Sequence, residues 1–158
     1  AMFGNTLGMK LRGAYLSMHR TFQAHFARFG VTADQFVVLS LLAAEDGLIQ
    51  RELVRRTYSD ANTITALLRL LERDGLIRRV RHKNDGRARC VFLTERGRQM
   101  HRKLVRSSDP LHRELQAAVA PDDLPVLLRS LEQIDATMGR LRPTCKRTPA
   151  VTDKETEP

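Results

Sequence analysis

Apolar side chains recur at steps of three and four residues over the first part of the chain. Those in the range 7–29 fall on one face of a long helix, and Gly30 ends it. A second helix, over 33–45, begins after Thr32 and is apolar on nearly all sides. The pattern therefore predicts two helices, the second of them buried.

Two short helices joined by a tight turn follow. The spacing predicts helices over 50–57 and 61–74, separated by the turn residues Tyr58-Ser59-Asp60. Ser59 and Asp60 are candidate caps of the second helix, and Gly75 is its predicted C-terminal cap. This arrangement is typical of a helix-turn-helix motif.

The periodicity then changes from helical to strand-like. Residues 76–81 and 89–93 are predicted strands, and the turn 82–88, centred on Asn84-Asp85-Gly86, joins them into a hairpin. A hairpin directly after a helix-turn-helix predicts a wing.

Helical spacing returns after the hairpin. Thr94 is predicted to cap a helix that runs to about residue 106, and Asp109-Pro110 is expected to kink or interrupt it. A last helix, opened by Pro121, carries a long apolar stripe.

The terminal helices have long apolar stripes that one small wing domain cannot cover. We therefore predict dimerisation helices at 1–30 and 107–142 around a winged helix-turn-helix domain at 31–106. The alternative is a helix bundle within one chain. Residues 143–158, rich in Pro, Thr, Lys and Glu, are a predicted flexible tail. The expected fold class is mainly α with a small β-hairpin wing (α+β).

Basic residues are concentrated in one window. The chain has 27 Lys and Arg against 18 Asp and Glu, a net charge of +9. Residues 69–106 hold 13 basic and 4 acidic residues, so this window carries the whole excess. Such localisation favours a nucleic-acid footprint over the alternative, a solvated basic face.

Other function classes find little support. The five histidines form no HxxxH or HExxH pair, and there is no Gly-rich phosphate loop, GxSxG or CxxC motif, so we predict no enzyme, no metal site and no cofactor. Cys90 and Cys145 are too few for a disulfide scaffold, and a redox sensor at Cys90 is a minor alternative. The sequence shows neither a membrane span nor a secretory signal, so a cytoplasmic location is expected.

Five short motifs follow one another between residues 48 and 97. They are Gln50-x-Glu52-Leu53, Thr63-Ile64-Thr65, Leu71-Glu72-Arg73-Asp74-Gly75-Leu76-Ile77, Asp85-x-Arg87 and Leu93-Thr94-x-x-Gly97. In this order and spacing they resemble the winged helix-turn-helix core of the MarR family of bacterial transcription regulators. The flanking helices extend the resemblance to residues 7–141. Ala66 departs from it, since many relatives carry a longer polar or basic residue there.

The resemblance implies a homodimer that binds a pseudo-palindromic operator in double-stranded DNA, as a repressor released by a ligand. Helix 61–74 would enter the major groove. Its expected DNA contacts are Asn62, Thr63, Thr65 and Arg69. For Asn62 and Thr63, helix capping is the alternative.

The wing supplies the remaining expected DNA contacts. Arg87 at its tip would reach the minor groove, and Asp85 is expected to hold Arg87 by a salt bridge. The alternative for Asp85-Gly86 is simple turn chemistry, and both roles can coexist. Phosphate contacts are expected from Arg78, Arg79, Arg81, Lys83 and Arg89.

Relatives in the family often bind small aromatic or phenolic effectors between the wing domain and the dimerisation helices. The matching positions here are Arg12, Tyr15, His19, Phe22 and Phe36. Arg12, Tyr15 and His19 are expected to share one helix face within reach of an anion. The alternative is that these residues are ordinary core, solvated or dimer-pairing side chains.

Two other functions stay open at this stage. A non-specific architectural DNA-binding protein would share the basic wing but lack a preferred sequence. A winged-helix module for protein interaction would use the basic window to meet an acidic partner.

Overall fold

The computed structural model describes residues 6–142, which form six helices and three short strands. In chain order these are α1 (Leu7–Ala27), α2 (Ala33–Ala44), β1 (Leu48–Ile49), α3 (Gln50–Arg56), α4 (Ala61–Arg73), β2 (Ile77–Arg81), β3 (Arg89–Leu93), α5 (Glu95–Ala117) and α6 (Leu124–Leu141). The predicted fold class is confirmed. The predicted flexible tail, 143–158, lies outside the described residues.

Strand β1 is an element that the sequence pattern did not predict. The sheet is antiparallel in the order β1-β3-β2, so β3 is its central strand. Strand β1 pairs Leu48 with Val91 and Ile49 with Cys90, while five residue pairs join β2 to β3. A strand of two residues is too short to show the alternation that predicts a strand.

The core of the wing domain forms around α2. Val38, Leu39 and Leu42 on this helix are buried, whereas Val37 is 41% exposed, so the expectation that α2 is buried on nearly all sides is wrong for one face. Side chains from the other elements complete the same core, namely Phe26, Leu53, Ile64, Leu68, Leu71, Leu76, Ile77, Val91, Leu93 and Leu104.

Three helix ends lie at residues that the sequence predicted as caps or helix ends. Thr32 and Gln35 form a capping box at the start of α2, in which each side chain accepts a hydrogen bond from the other residue's backbone N–H. Thr94 Oγ1 accepts from the N–H of Gly97 and so caps α5. Gly75, which follows α4, has a φ of +71°, a conformation that favours glycine.

Helix α5 continues through Pro110 to Ala117, so the expected interruption at Asp109-Pro110 is wrong. Proline removes one backbone donor from the helix. Leu104 and Ser108, both fully buried, anchor the turns before it. Packing therefore offsets the loss of one hydrogen bond.

Two interior histidines link α5 to the first two helices. His25 Nε2 on α1 lies 3.0 Å from Ser107 Oγ, and His101 Nε2 lies 3.2 Å from Ser40 Oγ on α2. Burial lowers the pKa of both imidazoles, and the neighbouring cations Arg28 and Arg102 lower them further.

The chain divides into two compact units, the first ending at Leu115 and the second beginning at Gln116. The predicted division at 31–106 and 107–142 stays a prediction. Within the second unit, no described residue of α6 is buried, and Leu128 and Leu141 are 52% and 69% exposed. None of the helices in residues 6–142 is both long and apolar enough to cross a membrane.

Candidate nucleic-acid interface

Helix α4 has one buried apolar face and one exposed polar face. Its inward side chains, Ile64, Leu67, Leu68 and Leu71, belong to the core. The exposed residues of α4 are Ala61, Asn62, Thr63, Ala66, Arg69, Leu70 and Arg73, of which Asn62, Thr63, Arg69 and Arg73 are polar. The core therefore fixes the orientation of α4 and leaves the polar face available to a partner.

The first turn of α4 is held by Asp60, its N-cap. Asp60 Oδ1 accepts from the backbone N–H of Thr63 at 2.8 Å, and Oδ2 accepts from Thr63 Oγ1 at 2.7 Å. These hydrogen bonds lower the pKa of the Asp60 carboxyl. The Thr63 hydroxyl hydrogen is thus committed to the cap, and its oxygen can offer only lone pairs to DNA. The backbone of Asn62 also faces the Asp60 carboxylate, but its side chain makes no hydrogen bond in this cap.

Gln50 is a side chain at this surface that was not among the predicted site residues. Its Nε2 donates to Thr65 Oγ1 at 2.7 Å, and Thr65 Oγ1 itself donates to the carbonyl of Ala61 at 2.7 Å. The hydroxyl of Thr65 is therefore oriented from α3. Gln50 lay in the first motif of the sequence, but its partner, 15 residues away, was not evident there.

The wing carries four cations that lie outside the ion pairs formed by the described residues. Among the ion pairs of residues 6–142, none includes Arg81, Lys83, Arg87 or Arg89. All four side chains are exposed. A free guanidinium or ammonium on a hairpin suits contact with phosphate.

The wing tip is shaped by Asp85, but not through a salt bridge. Asp85 Oδ1 accepts from the backbone N–H of Arg87 at 3.0 Å, and its carbonyl accepts from the N–H of Ala88 at 3.0 Å. The predicted Asp85–Arg87 salt bridge is wrong, because the carboxylate closes an Asx-turn on the backbone instead. The guanidinium of Arg87 stays free.

Two arginines of β2 are more constrained than expected. Arg79 Nε donates to Glu72 Oε2 at 3.0 Å, and this contact lowers the pKa of the Glu72 carboxyl. A phosphate contact from Arg79 stays a prediction, and it would have to share the guanidinium with Glu72. The guanidinium of Arg78 lies 4.6 Å from the centre of the Phe92 ring, a cation–π contact that leaves it exposed at the surface.

A basic concave surface lies between the helix-turn-helix and the wing. It encloses about 740 Å³ and brings Arg87 and Arg89 together with Gln50. Arg51 and His82 also line it, although neither was predicted as a site residue. The arrangement can accept a polyanion that touches both α3 and the wing.

A second concavity, of about 470 Å³, lies on the other side of α4. Tyr15, His19, Phe22 and Phe36, four of the five predicted ligand residues, line it, but Arg12 does not. The rings pack against one another, with the centroid of Phe22 4.7 Å from that of His112 and Tyr15 5.6 Å from His19.

The cavity also has residues that the sequence did not predict as ligand contacts. They include Asp34, Arg56, Thr57, Tyr58, Thr63 and His112. These come from α2, α3, the turn, α4 and α5, so no local motif could group them. Thr63 belongs both to this wall and to the first turn of α4.

Arg56, the arginine of the cavity wall, is bound by two carboxylates. Its Nε donates to Glu52 Oε1 at 2.7 Å, and its Nη1 lies 2.8 Å from Glu45 Oε2. Arg55 binds the same Glu52, and the two guanidinium groups lower the pKa of Glu52 to about 2. Most of the positive charge of Arg56 is thus compensated.

Residues 6–142 contain no group of three or more His, Cys, Asp and Glu side chains that could hold a metal ion. Cys90 is half-buried in β3, opposite Ile49 and Val80. Cys145 lies outside the described residues.

Comparison with known proteins matches this architecture. Residues 29–88 fit the sequence model of the MarR family. The transcriptional regulator TtmR of Methylorubrum extorquens (strain PA1) is 36% identical over 85 residues, 54% of this chain and 44% of TtmR. The chain therefore aligns with less than half of that relative's length.

Solved structures match over more of the chain. The PcaV regulator of Streptomyces coelicolor, solved with its natural ligand, is 27% identical with a TM-score of 0.74, over 87% of this chain and 97% of PcaV. The transcriptional repressor CouR, solved on a 23-mer DNA duplex, is 29% identical with a TM-score of 0.75, over 85% of this chain and 97% of CouR.

The buried core of the helix-turn-helix, the exposed face of α4 and the basic wing define a winged helix-turn-helix protein. Over residues 29–88 the chain is similar to the MarR family of transcriptional regulators, and its fold matches the solved structures of PcaV and CouR. Proteins of this family are DNA-binding transcription factors rather than enzymes.

Proposed function

We propose that the protein is a homodimeric, sequence-specific DNA-binding regulator that represses transcription until a small aromatic effector releases it from its operator. It would act on the bacterial chromosome in the cytoplasm. One observation carries this proposal, namely the exposed polar residues of α4 beside wing cations that form no ion pair within residues 6–142.

The two parts of this surface have different roles. Asn62 and Arg69 on α4 bear the side chains that can reach base edges, because their polar groups have no hydrogen bond or ion pair within residues 6–142. Arg81, Lys83 and Arg89 set affinity through phosphates. Arg87, free at the tip, enters the adjacent minor groove.

A second copy of the chain covers the apolar stripe of α6. Within α6 the large side chains Leu127, Leu128, Leu131 and Met138 are exposed, too many for a helix that stays in water. A two-fold symmetric dimer presents two α4 helices to half-sites about one helical turn of DNA apart.

The effector binds in the cavity lined by Tyr15, His19, Phe22 and Phe36. Because Thr63, Ile64 and Leu67 of α4 form one wall, a ligand that fills the cavity acts directly on the recognition helix. A change in the spacing of the two α4 helices then lowers affinity for the operator. The natural-ligand complex of PcaV supports this part of the proposal.

A duplex-binding titration tests the proposal. The full chain is titrated with fragments from upstream of its own coding region and with a shuffled duplex, over a series of salt concentrations. A preference of about a thousandfold or more is expected for a sequence-specific regulator. Equal and steeply salt-dependent binding to both duplexes would instead identify an architectural protein. Weak binding to every duplex would identify a protein-interaction module.

A further inference from the structure

We infer that the cavity between α1, α2, α4 and α5 selects an aromatic cation, such as an arylalkyl ammonium, over an aromatic carboxylate. This inference rests on the proposed function, because it names the chemical class of the effector that binds there. It departs from the anion that the positions of Arg12, Tyr15 and His19 suggested in the sequence.

The free charge of the cavity wall is negative. Asp34 lines the cavity, and within residues 6–142 no hydrogen bond or ion pair occupies its carboxylate. Arg56 is already held by Glu45 and Glu52. Arg12, the cation expected to receive a carboxylate, lies outside the cavity. A carboxylate ligand would therefore face Asp34 without an uncommitted guanidinium to offset the repulsion.

The fixed polar groups of the wall are acceptors. His112 Nδ1 lies 3.0 Å from the carbonyl of Ser108, and because a carbonyl can only accept, the hydrogen of the neutral ring is on Nδ1. Nε2 of His112 is then an acceptor. The hydroxyls of Thr57 and Thr63 donate to the Leu53 carbonyl and to Asp60, which leaves only their lone pairs for a ligand.

Aromatic rings form the rest of the wall. Tyr15, Phe22 and Phe36 line the cavity, and the Phe36 ring packs on Phe26 at 4.4 Å between centroids. The faces of such rings carry negative electrostatic potential and attract ammonium groups. A cavity with rings, acceptors and one free carboxylate therefore matches a ligand with an aromatic ring and several N–H donors.

The two tyrosines of the chain give a direct assay. Tyr15 and Tyr58 both line the cavity, and the chain has no tryptophan, so all of its intrinsic fluorescence from Tyr and Trp arises at the cavity. The full chain is titrated with benzylammonium, benzyl alcohol and benzoate, which share a phenyl ring and differ in charge. Excitation at the red edge of tyrosine absorption avoids the probes.

Benzylammonium is expected to bind about tenfold more tightly than benzoate, with benzyl alcohol between them. Asp34→Asn should remove most of this preference, because it weakens the binding of benzylammonium alone. Glu114→Gln is the matched control, because it removes one negative charge from an exposed α5 residue outside the cavity wall. It should leave all three affinities within about twofold of the unaltered protein.

Three results would overturn the inference. Benzoate binding as tightly as benzylammonium would show that the charge assignment is wrong, while the cavity still serves as an effector site. No saturable response to any probe would reject the inference together with the effector part of the proposed function. The duplex titration, run on the same samples, reports separately whether the DNA-binding part holds. Loss of DNA binding in Asp34→Asn, with unaltered probe affinities, would also contradict the inference, because it would assign Asp34 a structural role.

Discussion

The junction between α5 and the wing leaves no room for a side chain at Gly97. A Cβ atom built there would lie 2.0 Å from the carbonyl oxygen of Leu76 and 3.2 Å from Leu93 Cδ2. Ordinary carbon–oxygen contacts are about 3.3 Å or longer. Gly97→Ala must therefore separate α5 from the base of the wing by more than about 1 Å.

That separation strains two hydrogen bonds at the same place. The N–H of Thr94 donates to the Leu76 carbonyl at 3.1 Å, and Thr94 Oγ1 donates to the Gly75 carbonyl at 2.6 Å. Overpacking costs about 1–3 kcal/mol, and each hydrogen bond contributes about 1 kcal/mol. Alanine recovers up to about 1 kcal/mol of helix propensity. We expect Gly97→Ala to lower the free energy of unfolding by about 2–4 kcal/mol.

Urea unfolding followed by far-UV circular dichroism measures this difference, at one fixed protein concentration because dimerisation adds to apparent stability. Gly13→Ala is the matched control, since a Cβ at this α1 position would meet no atom within 4 Å. It should be neutral or stabilise by up to about 1 kcal/mol. A Gly97→Ala protein within about 0.5 kcal/mol of the unaltered chain would refute the packing described here.

Three further substitutions test the interface and the interior. Arg87→Ala should weaken operator binding by about 1–3 kcal/mol, and unchanged affinity at moderate salt would remove its minor-groove role. Gln50→Ala releases the Thr65 hydroxyl, so the preference for operator over shuffled duplex should fall while the salt dependence of binding stays the same; a smaller salt slope would instead make Gln50 a phosphate contact. Partial burial holds the pKa of the His101 imidazole below its ordinary 6.5. The neutral imidazole therefore contributes stability above about pH 6.5, and this contribution is lost as the pH falls toward the pKa of the folded state. His101→Gln should therefore make the decline in unfolding free energy below about pH 6.5 less steep than in the unaltered protein. An equally steep decline would show that other titratable groups cause it.

Much of the fold could be predicted because the helix boundaries depend on local chemistry. Thr32, Asp60 and Gly75 mark helix ends through hydrogen bonds or backbone conformations that need only near neighbours. Strand β1 could not be predicted, since its pairing with β3 is decided some 40 residues away. The continuity of α5 at Pro110 likewise depends on burial of Leu104 and Ser108, which the local pattern does not reveal.

The candidate site divides in the same way. From the sequence, Arg12, Tyr15 and His19 are expected to share one face of the first helix. Tyr15 and His19 line the cavity together with Phe22, and ligand binding there stays a prediction. Arg12, one turn before Tyr15, extends beyond that cavity. Asp34 and His112 could not be found, because the fold alone brings α2 and α5 to α1.

The position of Thr63 affects how a regulator of this kind can diverge in evolution. Its side chain lies in the cavity wall, and its hydroxyl and backbone N–H fix the first turn of α4. In a regulator that works as proposed, a substitution selected for a new effector at this position also alters the helix that reads DNA. After duplication of the gene, a substitution at Thr63 in one copy therefore changes both the effector and the DNA targets of that copy in one mutational step, rather than in two separate steps.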